Sequence, residues 1–493
     1  MLLRRKWVTR SLKIIGLLLF SGVIVHSIMT MALGRKVQAE IAKIRARGEP
    51  VSCAEFVIPS IPDHENAALA YCRIDKIYSG MCKEAERYRL IDPLFNPLDT
   101  KDEHPIECGY IFYPWSDPTF ALPCYDRLLK MTEKAVAMPN CRFEFDNRGP
   151  NHMSFQLWKL NTSFLRKAAL LNAQYGRQDE AVRCIVALAG INNHLSSQPL
   201  SQTYVGRLSI ARKIDGAIRD IARFGKINEA TAQQLLNVLD QIQLDKGFRE
   251  AMLDRRVVAI EWFRYLKKIK VPPCLCNKWK KERRQQSYLF RPQFYKDELF
   301  CLRAMAREIR YAKLTCREMG IKPTAFPEDV YIAPSYAVFS TDKLASLRDL
   351  RRMRDLGMAY IAVDKAFLAL LIYHSRFHTF PETLDKLESG LGVRLPKDPF
   401  SGKALAYNKF GNRCLIYSYG MNLKDDRGRI IPDRSYPSSE SNYKQDDDIV
   451  WQLTEDSSHD LHILMQPYVM KAKPIPYLSL PQDLPMPIAP PGA

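Results

Sequence analysis

The sequence predicts an α+β fold: an N-terminal transmembrane helix, a mostly α-helical hairpin or bundle in the middle, and a C-terminal helix with a small antiparallel sheet. Three observations predict it. Ile14 to Leu33 are 20 consecutive uncharged residues. Apolar residues then recur at three- and four-residue steps from Leu157 to Ile242. A third stretch, from Leu356 to Trp451, passes from helical spacing into β-branched and aromatic runs broken by turn residues.

A helix of 20 residues spans about 30 Å, the thickness of a bilayer's hydrocarbon core. Eleven of the 20 are Ile, Leu, Val or Phe, which sum to about −5 kcal/mol on the insertion scale. Arg4, Arg5, Lys6, Arg10 and Lys13 precede the run, and Met29 to Gly34 does not match a small-x-small cleavage site. An uncleaved anchor over 14–33 is therefore expected after a basic start at 1–13. Arg35, Lys36, Lys43, Arg45 and Arg47 rival the leading charges, but long domains cross membranes largely regardless of charge. The reading places the body outside the cytoplasm of a bacterial inner membrane, in the periplasm.

Residues 34–50 read as a polar helical stalk, and 51–150 as irregular or mixed, with many Pro, Cys and Asp breaks. The α-helical domain is set at 151–320. Leu157, Leu160, Phe164, Ala168, Leu171 and Tyr175 form one stripe, closed by Gly176, and Asp179-Glu180 opens the next helix through Val182, Ile185 and Leu188. Ile210, Ile214, Ala217, Ile221 and Phe224 form a third, closed by Gly225; Asn228 caps a fourth with Leu235, Leu239 and Ile242. Ala168 to Leu188 resembles a tetratricopeptide hairpin, but no 34-residue period recurs.

The formal charge of +19 fits a chain beside anionic headgroups. Nine Lys or Arg lie between Arg264 and Arg284, interleaved with Tyr265 and Trp279. They read as a solvated basic loop, and as a lipid rather than a nucleic-acid contact if they bind. The 12 cysteines are too few for a disulfide scaffold and leave pairing open. A linker follows at 321–345, a last module at 346–455 and a Pro-rich tail at 456–493.

In the last module Leu356, Tyr360, Val363, Phe367 and Leu370 mark a helix, and Phe380-Pro381-Glu382 a turn before Leu384 and Leu387. Lys397-Asp398-Pro399-Phe400-Ser401-Gly402-Lys403 and Tyr407 mark a hairpin. Leu415 to Gly420 is a strand, and Asp446-Asp447-Asp448-Ile449-Val450-Trp451 an acidic loop leading into another. In this order the motifs resemble the soluble domain of the major pseudopilin of type II secretion systems. The whole chain also looks like single-span bacterial membrane proteins with a helical middle and this ending. The resemblance implies a helix on a small sheet and a structural calcium ion in the acidic loop. Carried across, Asp446 and Asp448 are its ligands, with Asp425 and Asp426 as further candidates. Clustered carboxylates in a flexible loop suit a hard cation with six to eight oxygen ligands. Where pseudopilins carry a Gly-rich turn, Met421-Asn422-Leu423 stands, in which Asn422 can adopt the left-handed conformation. Pseudopilins also carry a Glu early in the apolar segment, which Ile14–Leu33 lacks, so a reused module is implied rather than a pseudopilus subunit.

No nucleophile elbow, P-loop, dinucleotide fingerprint or H-E-x-x-H motif is present. His374 and His378, one turn apart, form a metal pair only with Glu382, and His459 and His462 are weaker still. Glu298, Glu308 and Glu318 have no histidine partners for a di-iron site. The expected role is a non-enzymatic interaction or scaffold protein binding other envelope proteins. The alternatives are an envelope hydrolase with a site assembled from dispersed residues, and a basic cytoplasm-facing domain on anionic lipid or nucleic acid.

Overall fold

Helix α1 runs unbroken from Leu2 to Ala46. This is seen in a computed structural model describing residues 2–56, 60–91, 118–144, 160, 162–198, 200–225, 227–268, 288–320, 334–428, 449–455 and 461–463. Its apolar part is bare: Leu17, Leu18, Leu19 and Phe20 are 64–67% exposed. Its second part is not. Val37, Ile41 and Ile44 are buried against Ile260, Leu299 and Leu302, so residues 34–46 are docked on the body rather than forming a free stalk.

The stretch 51–150 is more ordered than its breaks suggest. Helices α2 (Ala67–Ile91) and α3 (Pro118–Val136) occupy much of it. Asn66 starts α2 by accepting the Ala68 amide at 3.1 Å, and its own amide donates to the Arg142 carbonyl at 3.0 Å.

Helices α4 (Ser163–Gln174) and α5 (Gln178–Ser196) form the expected hairpin. Gly176 between them sits at φ +72°, the left-handed turn for which glycine is suited. Helix α6 (Ser201–Phe224) ends at Gly225, and α7 (Glu229–Asp240) is capped by Asn228, whose side chain accepts the Thr231 amide at 2.8 Å. Helices α8 (Phe248–Lys268), α9 (Arg291–Arg310), α10 (Ser340–Phe377) and α11 (Leu384–Leu391) complete the α-helices of the described residues. Helix α10 starts inside the expected linker.

Four antiparallel strands follow in sequential order: β1 (Ala406–Phe410), β2 (Arg413–Ser418), β3 (Ile449–Glu455) and β4 (Leu461–Ile463). Tyr407 pairs with Ile416, and Ile416 with Trp451. Alternation places Cys414 and Ile416 of β2 with Trp451 and Leu453 of β3 on the buried face. That face covers α10, where the Trp451 and Phe367 rings stack at 3.7 Å and 9°.

Helix α10 is apolar enough to cross a membrane, with a mean hydropathy of 1.7 against 2.1 for α1. Burial separates the two: 83% of its apolar window is inside the protein, and none of that of α1. It is the central core helix. One apolar core runs through Leu171, Ile185, Ile214, Leu239, Phe367, Ile416 and Trp451, joining the helical middle to the C-terminal sheet.

Candidate functional site

The sequence points first to the acidic loop. Asp446 and Asp448 lie outside the described residues, whereas Asp425 and Asp426 follow β2 in a tight turn. Asp425 Oδ1 accepts from the Tyr417 hydroxyl at 2.9 Å and the Arg427 amide at 2.8 Å. Asp426 Oδ2 accepts from the Asn422 side-chain amide at 2.6 Å. Leu423 and Arg427, both at φ +59°, are left-handed here, and Asn422 is not. Asn422 instead accepts the Lys424 amide at 2.8 Å, which bends the chain at the following residue. Among the described residues no three histidine, cysteine or acidic side chains converge as a metal would need. Of the expected calcium set, Asp425 and Asp426 lie among the described residues and Asp446 and Asp448 outside them. If it forms, calcium raises the melting temperature of the full chain above that in chelator, and Asp446→Ala with Asp448→Ala abolishes the rise; coincident melts with and without calcium would remove the ion.

The hairpin motif folds around its aspartate. Asp398 is 1% exposed, and its carboxylate accepts the Phe400 and Ser401 amides at 3.1 and 2.9 Å and the Ser418 hydroxyl at 2.7 Å. Gly402, at φ +69°, donates to the Asp398 carbonyl at 2.8 Å. Tyr407 ties this hairpin to the preceding turn through its hydroxyl, 2.7 Å from the Pro381 carbonyl. These groups build the loop and leave Asp398 closed to any substrate.

Two charged centres lie deeper, both on α10. At its N-terminal half, Arg351 and Arg354 reach the C-terminal end of α9. A helix end leaves carbonyls without intrahelical partners and carries partial negative charge. Arg351 donates to the Glu308 and Tyr311 carbonyls at 3.0 and 2.9 Å and to that of Leu314. Arg354 takes the Ala312 and Leu314 carbonyls at 2.7 and 2.8 Å and the Asp355 carboxylate at 2.7 Å. Asp355 also accepts the Cys316 amide at 2.6 Å. Burial pushes its carboxyl above the usual range, opposed by Arg354.

In the C-terminal half of α10, Asp364 faces Asp215 of α6; the two are 0% and 1% exposed. Arg219 bonds Asp215 at 2.8 Å, donates to the Val450 carbonyl at 3.0 Å and lies 4.4 Å from the Trp451 ring centre. Trp451 Nε1 donates to Asp364 Oδ1 at 2.9 Å. Burial first, then the Asp215 carboxylate, drives the Asp364 pKa far up. Two acids in one dry site cannot both ionise. Burial and the Asp215 carboxylate thus favour the protonated form of Asp364, and the cluster pins α6, α10 and β3 together.

The other sequence candidates are dispersed. His374 is buried against Phe380, with ring centres 4.9 Å apart, whereas His378 is an exposed left-handed cap and Glu382 pairs with Lys409 at 2.7 Å. Glu298 pairs with Lys267 at 2.6 Å, Glu308 with Arg348 and Arg351 at 3.5 Å, and Glu318 accepts the Thr315 amide at 2.8 Å. His462 is on β4, and His459 lies outside the described residues. A surface depression of about 520 Å³ is lined by Pro123, Asp126, Arg127, Lys130, Met131 and Lys134. A second, of about 270 Å³, is formed by Gly48, Pro50, Glu55, Phe56, Glu250 and Leu253. Neither brings a histidine to its carboxylates.

Comparison of the chain with protein-family models, with curated proteins and with solved structures finds no match.

Proposed function

We propose that this is a single-span protein of the bacterial envelope whose body serves as an interaction scaffold. The observation that carries the reading is α1. Between residues 12 and 31 its large apolar side chains stay exposed and the body is met only near His26, while Val37, Ile41 and Ile44 of the same helix are buried in it. Glu49, just beyond, is held at 2.8 Å by both Arg249 and Arg256. The anchor and the body are thus continuous, which fits an uncleaved span better than a removable signal sequence. The charged centres support a structural rather than a catalytic role for the body, because they bond backbone carbonyls and one another.

The reading predicts that the full chain stays with membranes in alkaline carbonate and keeps residues 1–34 by intact mass. Leu18→Arg with Ile24→Arg should move it to the soluble fraction, since each arginine near a span centre costs about 2.5–3.5 kcal/mol. A mass lacking the first 33 residues would replace the anchor by a signal sequence.

One observation favours a second reading, with the body facing the cytoplasm. Cys53, Cys141, Cys184, Cys301, Cys316 and Cys414 are buried thiols without disulfides, as in a reducing compartment. Ser389→Cys places a thiol on the exposed face of α11. Labelling of intact cells by a membrane-impermeant maleimide supports the outward body; labelling only after inner-membrane permeabilisation supports the inward one.

A further inference from the structure

Helix α9 runs parallel to α1 and starts alongside the apolar run rather than beyond it. His26 Nε2 lies 3.2 Å from the Leu289 carbonyl. Further along, the Tyr295 ring lies over Gly34, where an added methyl would meet it at 3.7 Å. Further still, Arg303 approaches Glu40 at 4.0 Å. Three contacts in one order fix the register of the two helices.

That register sets a depth. Gly34 ends the uncharged run and Arg35 is the first charge after it. His26 stands eight residues before Gly34, about 12 Å along the helix. The single turn Tyr288–Phe290 that opens α9 therefore lies well below the level at which α1 leaves the hydrocarbon. Leu289 in that turn is 72% exposed. In water this is an uncovered leucine; at that depth it is a leucine in acyl chains.

The level of Gly34 has the composition of a headgroup zone. Helix α8 runs antiparallel to α9, so its C-terminal end arrives here: Lys267 Nζ is 5.1 Å from the Tyr295 ring centre. Arg35, Lys36 and Lys268 are exposed around it, and Arg291 is exposed beneath. Arginine and lysine stems can cross several ångströms of apolar surface to bring their charges to phosphate. Tyrosine at this level is the residue type membrane interfaces favour.

We propose that the body is seated in the bilayer as well as tethered to it. The turn Tyr288–Phe290 enters the acyl region beside α1, and the collar of Arg35, Lys36, Lys268 and Arg291 meets phospholipid phosphates. The occupant of this surface is the phospholipid leaflet itself. The seat rests on the reading of α1 as a span, and it adds a fixed orientation of the body at the membrane, which a flexible stalk would not give.

The test uses the full chain in phosphatidylcholine–phosphatidylglycerol vesicles. A fluorescent non-natural residue replaces Leu289, Val23 or Ser389 in turn, and quenching by nitroxide-bearing acyl chains is read. Strong quenching at positions 23 and 289, with none at 389, is the expected result. Quenching at 23 alone overturns the seat and leaves the anchor standing. Absence of quenching at 23 overturns the anchor reading, and the seat with it.

Discussion

Replacing Arg354 by leucine should destabilise the body by about 3–5 kcal/mol, the cost of stranding one member of a buried ion pair. Arg354 is 1% exposed and Asp355 0%. The guanidinium donates to Asp355 at 2.9 Å through Nε and 2.7 Å through Nη2, and to the Ala312 and Leu314 carbonyls. Its carbon lies 4.4 Å from the Phe248 ring centre. Leucine fills part of the volume and meets none of these acceptors. Lysine keeps the charge but lacks the planar fork that reaches carboxylate and carbonyls together, so Arg354→Lys should recover the smaller part of the loss. Asp355→Asn in the leucine background removes the stranded charge, and the two losses should be strongly non-additive. Denaturant unfolding of the full chain in detergent, followed by circular dichroism, compares the native chain, the two Arg354 variants, Asp355→Asn alone and the double variant. A loss below about 1 kcal/mol for Arg354→Leu, or simple additivity, would show that the clamp does not hold α9 to α10.

That clamp was invisible in the sequence for a physical reason. Arg348, Arg351, Arg352 and Arg354 look like a solvated basic face, and the burial of Arg351 and Arg354 is decided by carbonyls at the end of another helix about 40 residues earlier. Signals carried within one segment were legible. The Ile14–Leu33 run, the stripe from Leu356 to Leu370, the Gly176 turn and the Asn228 cap each depend on neighbours a few residues away, and each occurs where the pattern placed it. The start of α2 was legible too, because Asn66 before Ala67-Ala68 is a cap of the same kind as Asn228. The prolines and cysteines around it hid a local signal. The candidate site fared differently. Asp425 and Asp426 share a turn, as their spacing requires, but their hydrogen-bond partners depend on where β2 ends. Asp215 and Asp364 are single acids on otherwise apolar helix faces, and only the crossing of α6 on α10 makes them a pair.

The pair gives the second large effect. Trp451→Ala should cost about 3–5 kcal/mol, the usual range for a large ring lost from a core. Here the ring also stacks on Phe367, carries Arg219 on its face and bonds Asp364. Trp451→Phe keeps an aromatic on Phe367 and removes the donor, so its cost should fall to about 1–3 kcal/mol. The acids add a pH dependence whose sign follows from Asp364. Its native pKa is raised by burial and by Asp215, whereas in the unfolded chain an aspartate titrates near 3.9. Above that value the unfolded chain releases a proton that the native pair retains. The stabilisation is therefore complete below the unfolded pKa and is lost as pH rises toward the native one, at up to about 1.4 kcal/mol per pH unit. Arg219, Arg212 and Tyr360 also face this site. Asp364→Asn replaces the protonated acid by a neutral group that can still accept from Trp451 and donate to Asp215. Between pH 5 and 8 the melting temperature of the native chain should decline, and that of Asp364→Asn should decline less. Parallel pH profiles for the two proteins would mean that the proton sits elsewhere, and that Asp364 and Asp215 are held by Arg219 as ordinary carboxylates.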